Sequence, residues 1–266
     1  KRRNRNQSVN HRRPPLHTLS VPPKNSGGQE AVVWYSNAMA VIVINDVSKH
    51  FGKTKALDGV TLAIEENTIH GFLGPNGAGK TTMIRILLGI IRPTRGEASI
   101  FGLDVYKDRI PIHARLAYVP GEVNLWPNFT GGEVIDLLIG RERLDRKRID
   151  HYLDLFELDP SKKCKTYSKG NRQKVVLVAA FASPAEVFIL DEPTSGLDPL
   201  MEQRFQQVIK AKHGEGKTIF LSSHILSEVQ KIATAVSIIK QGRIGETVSI
   251  DEHSNLERFF HESNGL

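Results

Sequence analysis

Cysteine is nearly absent. Cys164 stands alone in 266 residues, so no internal disulfide can form and no zinc site of cysteines can be assembled. Long hydrophobic runs are missing too. Crossing a bilayer takes about 18–20 uninterrupted apolar residues, and the best stretch, Val175–Leu190, is broken by Ser183, Pro184 and Glu186. A role at a membrane would need another chain or region to do the spanning. Acidic residues are missing from the first 24 positions, which hold seven of the 36 Lys and Arg. The rest of the chain carries 29 basic and 29 acidic residues, so the net charge of +7 belongs to the N-terminal segment. The remainder therefore has no basic bias of the kind that draws nucleic acid. Hydrophobic content of 39% and charged content of 24% are ordinary for a chain that buries a core.

Residues 1–38 are rich in Arg, Asn, Pro, Ser and Gly, show little apolar periodicity and lack the apolar centre of a signal peptide. They are expected to form a disordered basic extension, with Met39 as the natural start. The texture changes at Ala40. Ala40–Val47, Val60–Ile64 and Thr68–Leu73 have strand character. A glycine loop follows, then a helical pattern over Met83–Ile91. The stretch from about 123 to 167 is expected to be a helical insert, with helices over Gly132–Ile139 and Asp145–Leu158. Val187–Leu190, Thr218–Leu221 and Ala235–Ile239 are short apolar runs between polar turns, the pattern of parallel strands covered on both faces. Strands alternating with helices predict an α/β fold with a mainly parallel sheet, a small antiparallel β-subdomain and the helical insert. The expected domain covers 39–245. Residues 246–266, with Leu256–Phe260 at their centre, are expected to be a short helical segment.

Gly74, Pro75, Asn76, Gly77, Ala78, Gly79, Lys80 and Thr81 fit G-x-x-x-x-G-K-[ST] at every fixed position. Glycines let the backbone turn its N–H groups toward phosphate oxygens, and the helix that follows, entered through Thr81 and Thr82, offers its positive end. Lys80 is expected on the β and γ phosphates, and the Thr81 hydroxyl on Mg2+. Val187–Leu190 ends in Asp191 and Glu192. The carboxyl ends of strands are where α/β sheets place ligands. Asp191 is expected to hold Mg2+, directly or through water, and Glu192 to accept a proton from the attacking water. Alternation would turn the two acids opposite ways, but the strand's end lets both face the site.

About twenty residues before Asp191, Tyr167–Gln173 carries a Ser-x-Gly core at Ser168 and Gly170. That segment resembles the signature motif of ABC ATPases, and further pieces follow in family order. Phe51 and Gly52 look like the adenine-stacking aromatic loop. Tyr118–Glu122 looks like the loop that usually carries a glutamine, Ser195–Asp198 like the D-loop, and Ser222–His224 like the strand end with the switch histidine. The resemblance covers about 41–244 and implies an ABC ATP-binding subunit that binds ATP and Mg2+. It implies head-to-tail pairing with a second nucleotide-binding domain, so that Ser168 and Gly170 meet the γ-phosphate held by the partner, with Asp198 nearby. His224 would orient the water with Glu192. A membrane-spanning subunit is the further partner implied, placing the chain at the cytoplasmic face of the membrane, with no nucleic acid expected. A soluble ABC ATPase working on ribosomes or DNA is the alternative, and a small-molecule kinase would need neither Ser168 nor His224.

Two departures stand out. The signature has Lys169 where glycine is usual, with Tyr167 and Asn171 at its flanks. Gly121 stands where the glutamine is usual, followed by Glu122, whose carboxylate is expected to reach Mg2+ or water, or else to serve communication with the membrane subunit. Both departures resemble those of bacterial drug and antibiotic exporters.

Overall fold

The computed structural model describes residues 40–250; the expected extension 1–38, Met39 and the end of the chain from 251 lie outside them. A four-stranded antiparallel sheet holds β1 (Ala40–Phe51), β2 (Thr54–Glu65), β4 (Arg95–Ile100) and β5 (Leu103–Asp104), in the order β2-β1-β4-β5. A six-stranded sheet holds β3 (Ile69–Leu73), β6 (Leu116–Val119), β7 (Val187–Asp191), β8 (Thr218–Ser223), β9 (Ala235–Lys240) and β10 (Arg243–Ser249). Its order is β10-β9-β3-β8-β7-β6. All neighbours in it are parallel except the β9-β10 hairpin. The mainly parallel sheet, the antiparallel subdomain and the helical insert thus match the expectation. Several elements were not among the expected segments, including β6, which is only Leu116–Val119, and α2 (Arg109–His113) just before it. The expected helix over 246–266 is corrected in part. Residues 246–249 continue β10 against β9, as Thr247 pairs with Ser237 and Ser249 with Ala235.

Strand alternation divides the core in two. Val187, Ile189, Phe72 and Phe220 pack with β1, β2 and helix α1 (Lys80–Leu87) on one face of the large sheet. Phe188, Leu190, Leu73, Ile219 and Leu221 pack on the other. That second face is covered by α5 (Lys169–Ala182) and α6 (Pro199–Gly214). Because both faces are buried, the strands read as continuous apolar runs and not as alternating ones. Phe181 of α5 joins the helical insert to the sheet, since its ring meets Tyr152 of α4 (Arg146–Leu155), Phe156 just after that helix, Phe188 of β7 and Phe205 of α6.

Local capping signals set several helix ends. α1 starts at Lys80, inside the glycine-loop motif, and stops earlier than the expected Ile91. Gly89 takes a φ of 64°, its N–H bonds Ile86 O, and Ile90 N–H bonds Arg85 O, the paired bonds of a left-handed glycine stop. α3 (Gly131–Ile139) is opened by Thr130 and Glu133, each side chain accepting the other's backbone N–H. Asp145 accepts Arg148 N–H at the head of α4.

His70 on β3 is 2% exposed and bonds Ser237 Oγ at 3.0 Å. Burial drives its imidazole down to about 4 from an ordinary 6.5. The unfolded chain therefore takes up that proton first, and stability is fully present above pH 6.5 and lost as pH falls toward 4. Denaturant midpoints measured across that window should fall, and His70→Gln should flatten the dependence. Equal slopes for the two proteins would contradict this.

Candidate nucleotide-binding and hydrolysis site

The sheet register sets the site. Leu73 pairs with Ser223, and Ser222 with Asp191, so the carboxyl ends of β3, β8 and β7 lie side by side. The segment Gly74–Gly79 leaves β3 there and feeds straight into α1. It is braced from three directions. Gly74 N–H donates to Ser223 O, and Gly242 N–H, at the β9-β10 turn, donates to Ala78 O. Ala56 O of β2 lies 2.6 Å from where a Cβ on Gly79 would sit. A Cβ on Gly74 would lie 2.3 Å from Ile239 O. Both glycines are therefore demanded by space, and Gly77 and Gly79 also by φ values of 78° and 113°. Among the described residues, the N–H groups of Gly77, Gly79, Lys80, Thr81 and Thr82 have no protein acceptor. This cradle of free donors at a helix start fits a phosphate group.

Lys80 is 5% exposed. Its ammonium donates to Gly74 O at 2.7 Å and Pro75 O at 3.2 Å and lies 3.4 Å from Glu192 Oε1. The same Glu192 oxygen is 3.3 Å from His224 Nδ1. One carboxylate oxygen thus stands between the lysine of the glycine loop and the histidine after β8. Glu192 reaches that place because it leaves the strand. Its φ is 45°, and its N–H is held by Ser222 O and Ser222 Oγ, each at 3.1 Å. The turn breaks the alternation that would otherwise point it away from Asp191. Asp191 is 4% exposed and accepts the Ser222 hydroxyl at 2.6 Å. Burial, aided by the Asp191 charge, pushes the neighbouring Tyr118 hydroxyl up to about 12, so Tyr118 stays neutral.

Other expected residues lie around this centre. Phe51 is 51% exposed, with Lys49 Nζ 5.1 Å from its ring centre. It ends β1 on the hairpin whose second strand carries Ala56. Ser168 heads α5 and accepts Asn171 N–H, leaving its own hydrogen free to donate. Asp198 heads α6 and accepts Met201 N–H. Gly170 packs on the D-loop segment, since a Cβ there would meet Gly196 O at 2.5 Å. Glu122 is exposed and makes no hydrogen bond or ion pair among the described residues; it lines a cavity with Lys169 and Arg172 instead. No group of three or more His, Cys, Asp or Glu among the described residues could cage a metal. Mg2+, however, commonly takes only one or two protein ligands, with phosphates and water supplying the rest. Thr81 and buried Asp191 are suited to that. Two residues show their part only in the structure: Ser222, within the strand-end motif, holds both acids, and Gln173, 2% exposed, donates from Nε2 to Pro193 O. Only strand register and helix packing reveal them.

The family profile described as ABC transporter matches residues 57–195. The chain belongs to the ABC transporter family. It is the ATP-binding, ATP-hydrolysing subunit type of that family. The bacitracin transport ATP-binding protein BcrA of Bacillus licheniformis is 35% identical over 228 residues, 84% of this chain and 74% of BcrA. The daunorubicin resistance ATP-binding protein DrrA3 of Streptomyces coeruleorubidus is 33% identical over 222 residues, 81% of this chain and 70% of that protein. Among solved structures, an ATP-binding subunit of an ABC transporter superposes with a TM-score of 0.77 at 26% identity, covering 84% of this chain and 99% of that one. The ATP-binding cassette MJ0796, in a dimeric post-hydrolysis state with ADP and Pi, gives 0.71 at 26% identity, covering 79% and 99%.

The bracing of Gly79 makes a sharp expectation. Gly79→Ala forces a methyl against Ala56 O and into a left-handed backbone. ATP affinity, read by fluorescent-nucleotide titration, should fall at least about tenfold, the 1.4 kcal/mol or more that such strain costs. An unchanged affinity would show that the loop tolerates the displacement.

Proposed function

We propose that this ABC subunit powers export of drugs or antibiotics and that Glu192 is its hydrolytic base. The observation that carries the base assignment is the Glu192 oxygen shared between Lys80 and His224. A carboxylate held there by a cation and an imidazole is oriented to accept a proton from water beside the γ-phosphate. The N–H groups that open α1 bind the phosphates, and Lys80 exchanges its loop carbonyls for the β and γ oxygens. Thr81 and Asp191 would hold Mg2+, which when bound would neutralise charge on the phosphates. His224 orients the water, and Phe51, exposed at the end of β1, stacks on adenine.

Ser168 and Gly170 have no role toward the phosphates of their own chain. They act on a second copy or a related domain in a head-to-tail pair, with the free Ser168 hydroxyl and the head of α5 facing the partner's γ-phosphate. The dimeric MJ0796 structures support this arrangement. Export of drugs or antibiotics is supported by the likeness to the bacitracin and daunorubicin resistance proteins. No helix of the described residues is long and apolar enough to cross a membrane, so the membrane path is assigned to a spanning subunit, which holds this chain at the cytoplasmic face. Trp126, Phe129, Leu137 and Leu138 of the helical insert, all solvent-facing, suit a segment of that subunit.

Glu192→Gln keeps the shape and removes the base. Hydrolysis should drop by about 10²–10⁴-fold, while ATP binding by equilibrium titration stays within about twofold. Retained turnover would remove Glu192 as the base.

A further inference from the structure

The two departures from the family pattern meet in space. Glu122, beside the missing glutamine, and Lys169, in the altered signature, line one cavity of about 370 Å³ together with Asn124, Arg172 and Gln173. Glu122 is the one acid on that wall, facing the two cations of α5. Lys169 is not simply solvated. Its stem covers Gly196, whose Cβ position lies 3.2 Å from Lys169 Cγ and Cδ, and its ammonium donates to Ser195 Oγ at 2.8 Å. An ammonium has three donors, so two remain beyond the bond to Ser195. Arg172 spends Nη1 on Tyr167 O. The Glu122 carboxylate makes no hydrogen bond or ion pair among the described residues, with Lys169 and Arg172 included. Beneath them Gln173 holds Pro193 O, next to Glu192.

We infer that Glu122 is a positioning residue whose carboxylate, unpaired in this structure, closes on the Lys169 ammonium across this cavity when a partner's nucleotide docks at the head of α5. The pair joins the 120–124 loop to the head of α5 and, through Ser195, to the turn that carries Glu192. The substitutions at the two motifs then compensate each other. Gly121 admits a close approach, with its Cβ position 3.0 Å from Asp191 O, and the opposite-charge pair would link loop and signature. This inference rests on the reading of Ser168 and Gly170 as donors to a partner's nucleotide. It assigns Glu122 to loop-to-signature communication and away from Mg2+.

A double-mutant cycle on the full chain tests it, with Mg2+-ATPase kinetics at saturating protein for Glu122→Gln, Lys169→Met and both together. Methionine keeps the stem over Gly196. Each single change should lower kcat about fivefold, with the KM for ATP unchanged. The double variant should be no slower than the slower single one, because coupled residues are not additive. Half-saturation by Mg2+ should stay at the wild-type value throughout. Losses that multiply in the double variant, or single variants at wild-type rate, would overturn the pairing. A tenfold rise in the Mg2+ requirement of Glu122→Gln alone would overturn it too, by making Glu122 a metal ligand. Failure of the base assignment would appear in Glu192→Gln and not in this cycle.

Discussion

A buried positive charge organises the site. Lys80 is almost wholly enclosed, and a buried ammonium is costly unless every donor is matched. Two loop carbonyls and one carboxylate match it here. These partners are weaker than a polyphosphate, which brings several negative charges to the same point. The protein thus holds a cation in place, at a cost met by its own loop, and keeps it ready for exchange. The same charge draws Glu192 inward, and Glu192 in turn meets His224. In the proposed reading, binding and hydrolysis share one electrostatic centre for this reason.

That centre is precise because its frame is stiff. The glycine loop is pressed from β2, from the end of β9 and from the β9-β10 turn, so the antiparallel subdomain and the main sheet both shape it. Ser222 fixes the two acids from the neighbouring strand. The signature helix reaches the same region through Gln173 and Lys169, which bond Pro193 and Ser195 on either side of the turn after β7. A movement of α5 would therefore be felt at Glu192 through two short links.

Much of this was legible in the sequence because it depends on local pattern. The phosphate loop, the apolar strand ending in Asp191 and Glu192, and the strand ending before His224 each announce themselves within ten residues. The capped helices of the insert did so as well. What was not legible depends on register. β6 is four residues between Arg115 and Pro120, too short for periodicity to mark. Residues 246–249 are mostly polar and are strand only through their pairing with β9. The bond from Ser222 to Asp191 crosses between strands whose sequence separation carries no signal. The cavity that gathers Glu122 and Lys169 likewise exists only once α5 is docked, so each looked like an isolated departure.

One subunit is proposed to be chemically incomplete, with its signature serving a partner. The most direct measurement is the Mg2+-ATPase rate per subunit as a function of protein concentration. The rate should rise with concentration and then saturate as pairs form. A rate independent of concentration, from a chain shown by light scattering to stay monomeric with ATP, would contradict it.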